Sequence, residues 1–287
     1  MKILTLNTHS LAEENATEKM QLFSGIIEQE QPEIMAFQEV NQTMAEPFIN
    51  EKEVFGYQPV NGHEGKMRRD NYAASLADEL RKKGLFYYWT WIPVKVGYDK
   101  YDEGMAIFSK NLIHSSCVFN LSNTDDYHNW KTRKALGIHT EKGWFFTVHM
   151  GWWKDEEEPF KAQWESFSEN IRKLTDKKET SLWVMGDFNS PASVRGEGYD
   201  LVSGSGWKDT WKLAKKKEEG FTAPPKIDGW KEADKTSPKQ GMRIDYIWHW
   251  GDINIEESRI LCNGKREPVV SDHYAVMIET GKYSGKY

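Results

Sequence analysis

In the stretch VMGDFNS, residues 184–190, an apolar run ends at Gly186 and is followed by Asp187 and Asn189. A carboxylate and a carboxamide thus stand at the carboxyl end of a core strand, where open α/β sheets place their ligands. By itself the stretch reads equally as turn chemistry, because Gly-Asp and Asn-Ser-Pro punctuate many loops. Other stretches repeat the pattern. Asn7 follows the apolar-rich residues 3–6, and Glu39 follows residues 34–37. An amide oxygen and a carboxylate at one sheet edge suit a hard cation such as Mg²⁺, which takes few protein ligands. His149 closes the run 144–148, in place to stabilise an anionic oxygen. Asp245 is embedded in RIDYIW, where a buried charge needs a partner. Asp272 and His273 adjoin the last strand, and neighbouring side chains alternate across a strand. Asp272 can therefore serve a metal or water while His273 serves the reacting centre. Asp245 is the carboxylate expected to fix the imidazole tautomer. Taken singly, Asn7 reads as a helix cap, Glu39 as a solvated carboxylate and His149 as a satisfied strand-end histidine.

The elements that must position these groups follow from periodicity. Residues 3–6 and 34–37 read as strands, separated by a helix with Met20, Phe23, Ile26 and Ile27 on one face. Asn15 has capping-box spacing to Glu18, and Gln31-Pro32 ends the helix. This is a βαβ unit, so Asn7 and Glu39 emerge at the same sheet edge. Residues 50–70 read as a loop and 71–83 as a helix, with Asn71 and Tyr72 at a start where backbone N–H groups favour anions. A strand at 86–96 is followed by a polar loop at 98–104 carrying Tyr101 and Glu103; the latter is placed to orient a histidine. Strands follow at 105–108, 135–138 and 144–149, the last two joined by a turn at 141–143. Arg133 precedes them as a bidentate phosphate clamp, and Trp152 follows as a substrate wall. Residues 159–178 read as a helix, 192–240 as a long irregular region, and Trp230 within it as a pocket residue. A strand at 243–248, a turn at 251–252 and a return strand at 253–261 precede the final strand.

In chain order, LNTHS, FQEV, TVHMGW, GDFNS, RIDYIW and SDHYAV carry all of the candidate catalytic and metal residues. This ordered set resembles the endonuclease/exonuclease/phosphatase superfamily, which includes pancreatic-type deoxyribonuclease, abasic-site endonucleases, neutral sphingomyelinases and inositol polyphosphate 5-phosphatases. The resemblance implies a four-layer α/β sandwich, two mixed sheets packed face to face and flanked by helices. It also implies Mg²⁺- or Mn²⁺-dependent hydrolysis of a phosphate ester. Carried over, Glu39 is the principal metal ligand, with Asn7 and Asp272 as further ligands. Asp187 orients or deprotonates the attacking water. Asn189 holds the phosphoryl group or that water. His149 and His273 stabilise the equatorial oxygens as imidazolium donors, and Asp245 orients a histidine. Phosphoryl transfer depends on such positioning and charge neutralisation more than on covalent chemistry.

Within the superfamily the chain is similar to bacterial sugar-phosphate phosphatases of the maltose 6′-phosphate phosphatase type. This rests on MKILTLNTHS, DNYA, YDKYDEGMAIFS, WKTRKALG, HMGWW and IDGW. The likeness places Asn71, Tyr72, Tyr101, Arg133, Trp152 and Trp230 around a pocket. Composition points the same way. A net charge of −6 disfavours a polyanionic duplex, whose affinity rests on phosphate neutralisation. The 13 tryptophans suit stacking on a sugar where they are not core. A nuclease is the first alternative and a sphingomyelinase-type phospholipase the second. With 287 residues and no linker or repeat, one catalytic domain over 1–287 is expected. Two cysteines make no disulfide framework. No leader or membrane-length apolar run precedes the first strand, so a cytoplasmic enzyme without a membrane partner is expected.

Overall fold

The computed structural model describes residues 1–174, 181–224 and 241–281. Its elements in chain order are β1 (Lys2–Asn7), α1 (Ala16–Glu30), β2 (Ile34–Thr43), α2 (Tyr72–Lys82), β3 (Tyr88–Gly97), β4 (Tyr101–Ser109), β5 (Ser115–Asn120), β6 (Lys134–Thr140), β7 (Gly143–His149), α3 (Phe160–Leu174), β8 (Leu182–Asp187), α4 (Gly198–Gly204), β9 (Trp207–Asp209), α5 (Thr210–Leu213), β10 (Lys216–Lys217), β11 (Asp245–Trp250), β12 (Ile255–Leu261) and β13 (Ala275–Thr280). A seven-stranded sheet runs β10-β12-β13-β1-β2-β4-β3, and a six-stranded sheet runs β5-β6-β7-β8-β11-β9. Both are mixed: β1–β2 and β7–β8 are parallel, whereas β1–β13 and β8–β11 are antiparallel.

Three apolar layers hold these sheets, and the period-two alternation of the strands explains all three. Ile3, Ile34, Ala36 and Ile107 face Phe145, Trp183, Met185 and Ile247 between the sheets. The next residue along each strand faces outward onto helices. Leu4, Met35, Phe37 and Phe108 pack against Phe23 and Ile27 of α1 and Leu76 and Leu80 of α2. Phe146, Val184 and Trp248 pack against Phe160, Trp164 and Phe167 of α3. Strands covered on both faces read as continuous apolar runs, and helix–sheet–sheet–helix stacking is the four-layer sandwich. Each fully buried aromatic or aliphatic side chain contributes about 1.5–3 kcal/mol.

The structure departs from the expected elements at several points. Asn15 sits at the start of α1 but in left-handed backbone, and its side chain caps nothing. The polar stretch 98–104 is not a loop: only the turn at Tyr98 and Asp99 has positive φ, and β4 already begins at Tyr101. Residues 192–240 are not irregular throughout, because α4, β9, α5 and β10 lie within them. Nor is β12 the return partner of β11; it pairs with β13 in the other sheet. Asp272 and His273 precede β13 in a bend, so loop geometry separates them rather than strand alternation. The helix expected over 159–178 is described only to Leu174.

Candidate active site

Register alone builds one wall of the site. His149 of β7 lies opposite Asp187 of β8, and Asp187 lies opposite Asp245 of β11. Three chemically active side chains therefore stand abreast at the end of three adjacent strands. Gly186 makes this possible. Its φ of +136° is open to glycine, and a Cβ there would overlap the Val148 carbonyl oxygen of the neighbouring strand. The small residue also admits Gln38, whose amide crosses from the other sheet to donate to Thr5 Oγ1 at 3.2 Å and Thr147 Oγ1 at 2.8 Å.

The opposite wall comes from β1 and β2. Between Phe37 and Val40 the pairing of β2 with β4 shifts register, and Glu39 takes a φ of +52°. Such a bulge re-aims a side chain. Phe37 and Val40 both enter the helix-facing core, while Glu39 turns toward Asn7 and His149. Asn7 Nδ2 donates to Glu39 Oε1 at 2.8 Å and to Asp187 Oδ2 at 3.2 Å, tying the two walls together. Its Oδ1 accepts from the His9 backbone N–H at 3.2 Å. In this geometry Asn7 orients the two carboxylates instead of offering them its oxygen.

Asp245 and His273 form the tightest pair, with His273 Nδ1 2.9 Å from Asp245 Oδ2 and both side chains buried. The Nε2 of the same ring lies 3.8 Å from Asp187 Oδ2. Burial opposes charge on His273, but the Asp245 and Asp187 carboxylates outweigh it and push its pKa up to about 10. Asp187 is pushed up to about 7, first by burial and then by Asp245. The Asn189 backbone N–H donates to Asp187 Oδ1 at 2.8 Å, and Asn189 Nδ2 donates to the Met150 carbonyl at 2.9 Å. His149, with Nε2 3.6 Å from Asp187 Oδ2, moves the other way. Burial, then Arg133, Lys95 and His273, hold its pKa well below the ordinary value. Burial first, and then the two cations, therefore disfavour the expected imidazolium form at His149, whereas the carboxylates around His273 favour it.

Glu39 is raised by burial and then by Glu103, with Asp272 adding to the repulsion. Half-buried carboxylates that disfavour one another's charge are a donor set that a hard divalent cation would relieve. Glu39 and Asp272 supply such oxygens, and the residues present fit the metal. His9, which the sequence reading passed over, stands among them. Its Nδ1 is 2.9 Å from Glu13 Oε1 and 4.0 Å from Asp272 Oδ1, and its Nε2 is 2.9 Å from the Tyr98 hydroxyl. His9 resists burial through the Glu13 hydrogen bond and the nearby Glu39 and Asp272 charges, which push its pKa up to about 9. A left-handed backbone at His9 was the available signal, and it is invisible in sequence.

Several expected substrate contacts have other duties. Asn71 is fully buried as the cap of α2, accepting from the Ala74 N–H and donating to Gln42 Oε1 at 2.9 Å. Its amide is committed on both sides. Tyr72 packs in the α1–α2 core, and burial raises its hydroxyl pKa. The Tyr101 hydroxyl donates to the Leu11 carbonyl at 3.0 Å. Glu103 orients no histidine; its carboxylate lies 3.3 Å from Lys95 Nζ. Arg133 is buried, its Nη1 donating to the Trp130 and Thr132 carbonyls at 3.0 and 3.2 Å. Its Nε has no partner, and no carboxylate pairs with it among the described residues. Trp152 packs on Trp130 at 5.6 Å between ring centroids. Trp230 lies outside the described residues.

Residues 4–273 match the Endonuclease/Exonuclease/phosphatase family. The chain belongs to that family. A solved endonuclease/exonuclease/phosphatase family protein from Leptotrichia buccalis is 28% identical, with 98% of this chain and 99% of that one aligned and a TM-score of 0.81. A mannosyl-6-phosphatase from Bacteroides thetaiotaomicron is 18% identical over 98% and 99% of the two chains, with a TM-score of 0.63. A 3′ phosphatase from Neisseria, solved with a product DNA hairpin, is 18% identical over the same shares, with a TM-score of 0.61. The latter two likenesses establish the fold alone. No curated protein matches the chain. As a member of the endonuclease/exonuclease/phosphatase family the protein is a phosphoric ester hydrolase of a divalent-metal-dependent class, and its buried acidic and histidine cluster accords with that.

Proposed function

We propose that this enzyme is a phosphatase of small phosphomonoesters, with a sugar phosphate such as maltose 6′-phosphate as its substrate and Mg²⁺ as its metal. The observation that carries the reading is the buried Arg133 beside His149, since the other cation there, Lys95, is already paired with Glu103. Arg133 and Lys95 both act on that ring, and Arg133 keeps an unpartnered Nε. A desolvated guanidinium without a carboxylate is costly unless an anion completes it. A terminal phosphate dianion does so compactly, without the extended basic footprint a duplex requires. The half-exposed Trp130 against Trp152 supplies a flat apolar rim on which the carbon face of a sugar can lie.

Glu39 and Asp272 would hold the cation, with Asn7 orienting Glu39. When bound, it supplies charge neutralisation at the phosphoryl oxygens. The remaining work belongs to the chain. Asp187 accepts a proton from the water as it attacks phosphorus, the P–O bond to the sugar breaks, and the leaving alkoxide is protonated by solvent water; a pKa of about 7 suits Asp187 to that task near neutral pH. Asn189 fixes Asp187 through its backbone N–H. His273, held as imidazolium by Asp245, donates from Nε2 to a phosphoryl oxygen and favours the charge that builds there. His149 donates as a neutral ring, and Arg133 grips the phosphate.

The test is a panel scored by inorganic phosphate and by gel. Maltose 6′-phosphate and related sugar phosphates should be hydrolysed with Mg²⁺ faster than plasmid, abasic-site DNA or a 3′-phosphorylated oligonucleotide. Robust action on DNA with no phosphate from sugars would replace this reading by a nucleic-acid one, for which the Neisseria 3′ phosphatase is the structural precedent.

A further inference from the structure

A polar row crosses the seven-stranded sheet beside the phosphate position. Asn41 of β2 lies opposite Glu103 of β4, and Glu103 lies opposite Lys95 of β3. Their side chains share one face of the sheet. That face is turned between the two sheets, because Met105, two residues along β4 from Glu103, packs in the core between them. All three residues are more than nine-tenths buried. One feature distinguishes the row from a structural network. Asn41 has no protein partner for either its Nδ2 or its Oδ1 among the described residues. Each buried polar group left in that condition costs about 1–3 kcal/mol. Lys95 and Glu103 also neutralise each other at 3.3 Å, and Lys95 Nζ donates to the Trp130 carbonyl at 3.0 Å. The row thus ends at the tryptophan rim.

We infer that Asn41, Glu103 and Lys95 form a subsite for the hydroxyl groups of the sugar carried by the phosphate. The row has no net charge, so it suits neither a second anion nor a second cation. It offers a carboxamide donor and acceptor, a carboxylate acceptor and an ammonium donor. A neutral diol, in which every hydroxyl both donates and accepts, matches that set. Trp130 beside it covers the apolar face of the same ring. The subsite deepens the sugar-phosphate reading and rests on it.

The experiment compares kcat/KM for maltose 6′-phosphate with kcat/KM for p-nitrophenyl phosphate in wild type, Asn41→Leu and Glu103→Gln, alongside thermal unfolding of each. The ratio should fall about tenfold or more in both variants, through KM for the sugar phosphate. Asn41→Leu should not lower Tm, because it removes two unpartnered polar atoms while keeping the number and branching of side-chain heavy atoms. An unchanged ratio in both variants would overturn the subsite. So would a fall in Tm of Asn41→Leu with parallel loss on both substrates, which would mark Asn41 as structural. A wild-type enzyme active on p-nitrophenyl phosphate but on no sugar phosphate would instead overturn the sugar-phosphate reading, and the subsite with it.

Discussion

Asp245→Asn is the sharpest probe of how this site is tuned, because one charge acts on two titrating neighbours in opposite senses of catalysis. The variant keeps shape and a hydrogen-bond acceptor 2.9 Å from His273 Nδ1 but removes the negative charge. His273 then loses the leading cause of its rise from 6.5 to about 10, while burial still opposes its charge. If its pKa returns to about 6.5, the change is about 3.5 units, or about 5 kcal/mol at about 1.4 kcal/mol per unit; Asp187 shares the effect, so this is an upper bound. Asp187 loses a repelling neighbour and its pKa falls below the present value of about 7. With Asp187 required as base and His273 as cation, both limbs of the kcat/KM profile move toward acid. At about pH 8.5 a histidine of ordinary pKa is about 1% charged, so activity should drop about 100-fold there and much less near pH 6. Chemical denaturation in EDTA gives an independent readout. A raised histidine pKa contributes stability that is full below about 6.5 and lost as pH rises through about 10. The stability gap between wild type and variant should therefore be widest at mildly acid pH and close toward pH 10. An alkaline limb that stays near 10, or a histidine NMR titration unchanged by the substitution, would refute the reasoning.

Four further outcomes follow. His273→Ala and Asp187→Asn should each reduce kcat by about 10³-fold or more while far-UV circular dichroism stays native; near-wild-type turnover in either would remove it from the machinery. Glu39→Gln should raise the Mg²⁺ concentration for half-activity about tenfold or more, the largest shift of any single carboxylate in the site, and an unchanged metal titration would take Glu39 out of the metal's reach. Gly186→Ala should cost about 3 kcal/mol or more in urea unfolding, since an alanine there meets both a forbidden φ and the Val148 carbonyl, and wild-type stability would contradict the register of β7 and β8. Asp102 resists burial through Gln42, Tyr127 and Arg68, which hold its carboxyl below 3.8. Its contribution is present above about pH 4 and lost as pH falls through the depressed value, so Asp102→Asn should be about 1–3 kcal/mol less stable at neutral pH, with the gap closing in acid.

Much of the site is legible in the chain because its chemistry sits at strand ends. Asn7, Glu39, His149, Asp187 and Asp245 each flank or begin an apolar run, and a polar group there emerges at a sheet edge wherever the strand is placed. Local periodicity suffices for that, as it does for the βαβ unit and for α3. The four-layer arrangement came through the ordered motifs, not through periodicity, which cannot assign a strand to a sheet. That limit explains the error over β12, whose neighbour in sequence is β11 but whose partner is β13. The resemblance set Asn71, Tyr72 and Tyr101 around the pocket. Each lies beside a promising stretch, yet its polar atoms are committed to a cap, a core or a distant carbonyl. Conversely, Lys95 and Asn41 carry no motif. Lys95 lies inside an expected strand and Asn41 just past another, and only cross-strand register sets both beside Glu103. The backbone at Glu39 and His9 was equally hidden, since a positive φ in a non-glycine residue is imposed by surrounding contacts and not by its own side chain. The sequence determined which chemical groups stand at the strand ends and the order in which the chain delivers them. Only the tertiary structure decided which of them touch, because pairing across two sheets is fixed by contacts between segments remote in the chain, and the opposed pKa shifts of Asp187, His149 and His273 arise from those contacts.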